Sequence, residues 1–307
     1  MRWGPWPPAR RDGFLFCSYL RPAAGASPQR PGHGADGGDR DLRGHRPARP
    51  PPHPGVAQLR RHLPVPGLRR AHRHLPQIGH GDVVPAQTIP NWERAPWLEQ
   101  IYFRATLQDT AARRLITTHL PARVLAPALQ QSKAKVIYVA RNPKDVAVSF
   151  YHFHRLAKFL PDPGSFDTFL TRFLEGTVHY GSWFDHVKGW LGQRQLLDIF
   201  YVTYEELHQD LCGTAQRLGT FLGCPLGLET LGALEQHCSF VAMRDNAMAN
   251  YTLIPPEIMD HSQGRFMRKG VVGDWHNHFS PEQNTRFNRL YQEEMGDLEL
   301  PGCWPMA

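Results

Sequence analysis

KAKVIYVARNPKDVAVSF (residues 133–150) decides the fold. Its first half, KAKVIYVA, is a short apolar run led by lysines, as expected of a strand buried in a parallel sheet. The period then changes. Asn142 stands where a helix N-cap belongs, and Pro143 follows at the first helical position. There the missing proline N–H costs nothing and its fixed φ is already helical. The spacing predicts a helix from Pro143 to about Lys158. Open α/β sheets bind ligands at the carboxyl ends of their strands, and Arg141 sits at such an end. The helix dipole and free N–H groups favour an anion there, and Ser149, two turns into the helix, adds a hydroxyl. The plainer reading of Arg141 is a surface ion pair.

Downstream segments agree with this class. FDTFLTRFLEG and WFDHVKGWL carry aromatic and aliphatic residues at helical spacing, most simply core-facing stripes. LLDIFYVTYEELHQDL reads as a strand over residues 199–202 feeding a helix, and TAQRLGTFLG and LETLGALEQH read as helices. Upstream, PNWERAPWLEQ reads as a turn followed by a short amphipathic piece. Ser280 as N-cap, Pro281 at N1 and Gln283 at N3 start a last helix that should run through Tyr291. Strands alternating with helices predict an α/β domain with a central parallel sheet flanked by helices.

FMRKGVVGDW (residues 266–275) is the second informative stretch. Arg268 and Lys269 are followed by Gly270 and then Gly273. Paired cations beside glycines that admit close backbone approach make a cradle for phosphate. An isolated RKG would more simply be a solvated basic turn. His119, in TTHLP, is a further candidate. A neutral imidazole serves as a general base on a hydroxyl or amine, although among 17 histidines a lone one is more often structural.

Bulk properties exclude several classes. No apolar run approaches the roughly 20 residues of a membrane span, and the N-terminus does not read as a signal peptide. Five scattered cysteines without CxxC spacing suggest neither zinc nor a disulfide framework, so a reducing, cytoplasmic setting and no metal are expected. The net charge of +7 is local: residues 1–87 hold 14 Arg and 5 Asp, so residues 88–307 are slightly acidic. That first segment contains no Lys, Glu or Asn and keeps no periodicity. A basic arm for nucleic acid is one reading. GC-rich DNA read in an unselected frame explains Arg without Lys better, and no nucleic-acid partner is expected.

The motifs TTHLP, YVARNPKDVAVSFYHF, GSWFDHVKGW, VTYEEL and FMRKGVVGDW together resemble the cytosolic sulfotransferase family, nearest its aryl and amine branches. The resemblance covers about residues 88–307. It implies a single P-loop-like sulfotransferase domain that moves a sulfuryl group from 3′-phosphoadenosine 5′-phosphosulfate (PAPS) to a small acceptor. On it, His119 would deprotonate the acceptor. Arg141 and Ser149 would hold the 3′-phosphate, and Tyr204 would contact the adenine region. Ser239, Phe240 and Met243 would line the adenine pocket. Phe266, Met267, Arg268, Lys269 and Gly270 would close over the 3′-phosphate. Phe150, Tyr151, Tyr251 and residues 254–259 would line an acceptor site for a phenol, steroid, alcohol or amine.

The sequence departs from that family in three places. A loop of the form TYPKSGTTW normally follows the first strand, wraps the 5′-phosphosulfate and supplies a lysine to the leaving oxygen. No lysine precedes Lys133 here. Residues 74–87 (HLPQIGHGDVVPAQ) admit codons that, read from their second base, give TYPKSGTGTWCQH. Residues 68–87 thus read as that loop translated out of frame. The first strand and loop are then expected to be lost, residues 1–60 to be irregular, and a sheet edge to stand open. Cys238 replaces a usual Thr. The family's dimer segment, Lys-x-x-x-Thr-Val-x-x-x-Glu, is matched by His276, Ser280, Pro281 and Thr285, so a homodimer is doubtful. Without the lysine loop the alternative is an impaired or inactive protein that at most binds the 3′-phosphate.

Overall fold

The computed structural model describes residues 13–18, 89–99 and 114–296 together with Leu298, Trp304 and Met306. All belong to one compact unit; the second unit, Ala23–Asp82, lies outside the described residues, as does the 68–87 stretch.

In chain order the elements are β1 (Gly13–Ser18), α1 (Asn91–Arg94), β2 (Arg114–Thr118), α2 (Ala122–Leu129), β3 (Lys135–Ala140) and α3 (Pro143–Leu156). Then come α4 (Phe166–Leu174), α5 (Trp183–Leu191), β4 (Ile199–Thr203), α6 (Tyr204–Gln209) and α7 (Leu211–Phe221). The chain continues through α8 (Leu228–His237), α9 (Phe240–Asp245) and α10 (Pro281–Met295). The four strands form one parallel sheet in the order β2-β1-β3-β4. This is the α/β architecture that the sequence predicts.

The β3–α3 unit forms for the reasons read from its sequence. Val136, Ile137, Tyr138 and Ala140 are all buried, so the apolar run is covered on both faces. The Asn142 side chain accepts from the Lys144 N–H at 2.9 Å and Pro143 opens the helix. The helix stops at Leu156 rather than near Lys158. Ala157 instead bridges Met259, and Lys158 N–H donates to the Ile258 carbonyl, so a long-range backbone pairing ends it. Thr203 caps α6 and Ser280 caps α10, each in a full capping box.

The main core packs α3, α4, α5 and α10 on the sheet, with Tyr138, Phe150, Phe169, Phe173, Trp183 and Phe287 fully buried. Each such side chain contributes about 1.5–3 kcal/mol on leaving water. A smaller cluster lies apart, with Trp92, Phe153, Leu156, Tyr251 and Met259 at its centre and Trp97, Ile254 and Phe266 packed against it.

One expectation is corrected. Gly13–Ser18 is not irregular: GFLFCS is the strand β1 between β2 and β3, with Leu15 in register with Ile116 and Val136. A slot between two parallel strands exposes rows of N–H and C=O groups on both sides, and leaving them unpaired is costly. A strand paired on both sides satisfies them. The sheet is therefore continuous from β2 to β4. Residues 96–98 also pair with β2 through Leu98 N–H to Thr117 O (2.8 Å) and Thr117 N–H to Pro96 O (3.0 Å).

Candidate active site

Three sequence candidates each stand one residue past a strand: His119 after β2, Arg141 after β3 and Tyr204 after β4. Because the strands are parallel, all three lie along one edge of the sheet, where the helix N-termini also point.

On the β3–β4 side the predicted phosphate pieces converge. The Arg141 guanidinium lies over the Tyr204 ring at 4.2 Å and donates to the Val271 carbonyl at 3.2 Å. The glycine-bearing loop is thus laid against the β3–α3 junction. Burial pushes the Tyr204 hydroxyl upward, partly offset by Arg141. Gly270 has φ +66°, and a Cβ there would overlap the Phe240 ring. Only glycine lets the backbone take this conformation and lie against that aromatic face. His208 Nε2 donates to the Gly270 carbonyl at 3.1 Å.

Two buried carboxylates hold this loop. Asp145 accepts from the Gly273 N–H through Oδ2 at 2.6 Å and from the Trp275 N–H through Oδ1 at 3.0 Å. Asp274 accepts from Arg268, from Lys269 Nζ at 2.6 Å and from Asn277 at 3.0 Å. Burial pushes the Asp274 carboxyl up, but the bonds from Lys269, Arg268 and Asn277 outweigh it and leave it well below the ordinary range. Two cations share one carboxylate, so the loop keeps a positive surplus for an anion. His278 Nδ1 donates to the Asp274 carbonyl at 3.0 Å, and its Nε2 lies 3.1 Å from His152 Nε2. Burial, reinforced by the Arg268 and His278 charges, holds His152 near 4.

Other candidates are placed differently. The Phe266 ring turns from the cations into the smaller apolar cluster, 4.1 Å from Tyr251 and 6.0 Å from Phe153. The Ser239 hydroxyl caps α9 through the Ala242 N–H. Met243 and Met267 are half-buried. Ser149 is half-buried on α3. Of the acceptor candidates, Tyr251 joins the smaller cluster, whereas Phe150 belongs to the main core.

His119 is 2% exposed. Its ring stacks on Tyr180 (5.3 Å, 19°) and meets Trp97 edge-on at 4.9 Å. Its backbone is fixed by α5: His186 Nε2 donates to the His119 carbonyl at 3.2 Å, and Trp190 Nε1 to the Leu120 carbonyl at 3.3 Å. The Tyr138 hydroxyl donates to the other His186 nitrogen at 3.0 Å, and burial holds that ring near 4, so it stays neutral. Tyr180 holds φ +70°, a strained value for a non-glycine residue beside the candidate base.

Sequence reasoning missed Asp145, Asp274, Tyr180 and Glu99. Asp145 had a faint signal, an acid four residues after Arg141 in the first turn of α3. Glu99 had none. Among the described residues, no group of three or more His, Cys, Asp or Glu is placed to hold a metal ion, and no helix is long and apolar enough to cross a membrane.

Known proteins resemble this chain. The family model for the sulfotransferase domain matches residues 70–299. Human sulfotransferase 2B1 is 50% identical over 215 residues, which are 70% of this chain and 59% of that protein. Sulfotransferase 1A1 of Canis lupus familiaris is 45% identical over 223 residues, 70% of this chain and 75% of that protein. The crystal structure of mouse sulfotransferase SULT7A1 complexed with PAP aligns with TM-score 0.56 and 34% identity, covering 63% of this chain and 70% of the other. The chain spans only 59–65% of the length of the 2B1 relatives from human, mouse and rat. On the extent of the domain match and these identities, the chain belongs to the sulfotransferase domain family.

Proposed function

We propose that the chain is built to bind PAPS and to transfer its sulfuryl group to a hydroxyl or amine of a small acceptor, with residues 88–307 as the sulfotransferase domain. The observation that carries this reading is the convergence of Arg141, Tyr204, Phe240 and the 268–275 loop at the end of β3. Arg141, Arg268 and Lys269 would take the 3′-phosphate, with Ser149 adding its hydroxyl. Tyr204, Ser239, Phe240 and Met243 would bound the adenine. Phe266, Met267 and Gly270 shape the loop that closes the site, Phe266 from its apolar side. The mouse relative solved with PAP supports a nucleotide of this kind as the ligand.

His119 would take the acceptor proton as the acceptor attacks sulfur in line with the departing phosphate. Transfer of this kind requires alignment and stabilisation of charge on the leaving group. The smaller cluster of Trp92, Trp97, Phe153, Tyr251, Met259 and Phe266 offers an apolar wall for a phenol, steroid, alcohol or amine. No metal is needed for these steps. The reading places the protein in the cytoplasm, with neither nucleic acid nor membrane as a partner. Pro281 lies at N1 of α10, which disfavours the family's dimer segment.

The second reading, an impaired protein that binds the 3′-phosphate end alone, rests on one sequence fact: no lysine precedes Lys133. Titration calorimetry with adenosine 3′,5′-bisphosphate, paired with a sulfuryl-transfer assay, separates the two. Saturable binding that weakens about 10-fold or more in Arg141→Ala is expected, the loss of one charge-assisted contact. Turnover supports the enzyme, and binding without turnover supports the second reading. No saturable binding refutes both.

A further inference from the structure

We propose that Glu99 is the positioning partner of His119, fixing its imidazole with the proton on Nδ1 and leaving Nε2 bare to accept the acceptor's proton. This rests on the reading of His119 as the base.

Glu99 lies in the segment that pairs with β2. Its Oε1 accepts from the Thr118 hydroxyl at 2.8 Å and from the His119 backbone N–H, and it stands 3.7 Å from His119 Nδ1. The carboxylate is therefore bound to the same two residues whose side chains it orients. Its other oxygen, Oε2, is buried and has no hydrogen-bond partner among the described residues. A shift of under about 1 Å brings Nδ1–H to hydrogen-bond distance of the carboxylate. Stacked Tyr180 and edge-on Trp97 hold the ring plane while this happens.

Charge supports the arrangement. Burial pushes the Glu99 carboxyl up, but the hydrogen bonds and charge of His119 outweigh it and hold it below its usual range, so it stays ionised. The titratable groups facing His119 among the described residues are Glu99, Tyr180 and His186, and His186 is neutral. Glu99 thus places an anion at the ring. A carboxylate on Nδ1–H selects the tautomer and stabilises the imidazolium formed in the reaction. In the step, the acceptor's O–H or N–H bond breaks and its proton bonds to Nε2. The freed electron pair forms the bond to sulfur, and the bridging O–S bond breaks with its pair leaving on the nucleotide phosphate. The Nδ1 proton stays on the ring, facing Glu99.

Nitrogen-15 NMR of the full chain with labelled histidine tests this, His119 being assigned by its disappearance in His119→Gln. The expected result is an Nδ1–H, Nε2-bare tautomer in the wild type, mixed tautomers in Glu99→Gln, and recovery in Glu99→Asp. An Nε2–H tautomer in the unmodified protein overturns the proposal without any variant, so a misfolded mutant cannot shelter it. An unchanged tautomer in a folded Glu99→Gln overturns it as well. If instead His119→Gln leaves turnover intact, the base reading fails while the tautomer result stands by itself.

Discussion

Asp145→Asn isolates what fastens the cationic loop to the sheet. The carboxylate is 2% exposed and receives two backbone donors, Gly273 N–H at 2.6 Å and Trp275 N–H at 3.0 Å. An asparagine of the same shape keeps one oxygen. Whichever way the amide turns, one donor faces an NH₂ group and is left buried without an acceptor. Losing one charge-assisted bond and stranding its donor costs about 2–4 kcal/mol together. Loop opening should then be favoured roughly 30-fold or more, at about 1.4 kcal/mol per decade. Native-state hydrogen exchange reads this directly: the Gly273 and Trp275 amides should exchange at least about 30-fold faster. Interior amides of α3, such as that of Phe150, serve as the internal reference, because global destabilisation would accelerate both sets by one factor. Affinity for adenosine 3′,5′-bisphosphate should fall in parallel, since Arg268 and Lys269 ride on the loop. Unchanged exchange at both amides, with wild-type affinity, would refute the claim that Asp145 holds the clamp.

Three further outcomes follow from the same geometry. Gly270→Ala forces a left-handed backbone on alanine, about 1–2 kcal/mol, and drives Cβ into Phe240. Gly273→Ala bears only the backbone strain, its Cβ meeting His276 Nδ1 at 3.7 Å. Calorimetry should show the larger loss of nucleotide affinity at Gly270, and equal losses would contradict the contact with Phe240. Lys144 is fully buried, donates to Asn284 and to the Met306 carbonyl, and lies over Trp275 at 4.0 Å. Burial holds its ammonium down at about 8. Between that pH and the unfolded value near 10.4 the unfolded chain binds more protons, so stability rises with pH across the window. Urea midpoints should show the rise in the wild type and not in Lys144→Met. His152, held near 4, has the same sign in acid: from about pH 6.5 down to 4 the unfolded state takes the proton and stability is lost. Thermal melts of His152→Gln should be flatter over that range, and an unaltered slope would remove His152 from the acid response.

Much of this molecule is legible locally. Asn142 and Pro143 start α3 and Ser280 and Pro281 start α10 because caps act within one turn. The buried run of β3 and the cationic loop are contiguous, so composition reveals them. Local helical preference would carry α3 to about Lys158, but a backbone bridge from Ala157 to Met259 outweighs it. Phe266 adjoins the cations in sequence, but its ring packs into the apolar cluster of Tyr251 and Phe153. GFLFCS lies within the stretch expected to be irregular, because its pairing with β2 and β3 is made with strands about 100 or more residues away and leaves no local signal.

By itself the sequence determined the α/β class, the strand-to-helix switch at Arg141 and a cationic, glycine-bearing loop, since each is written in neighbouring residues. Only the tertiary structure decided what holds them in place. Asp145 reaches its loop donors across 128 and 130 residues, and Glu99 reaches His119 across 20. Such pairs leave no periodicity to read. They exist because folding removes water from both partners, and a buried carboxylate is stable only where donors meet it.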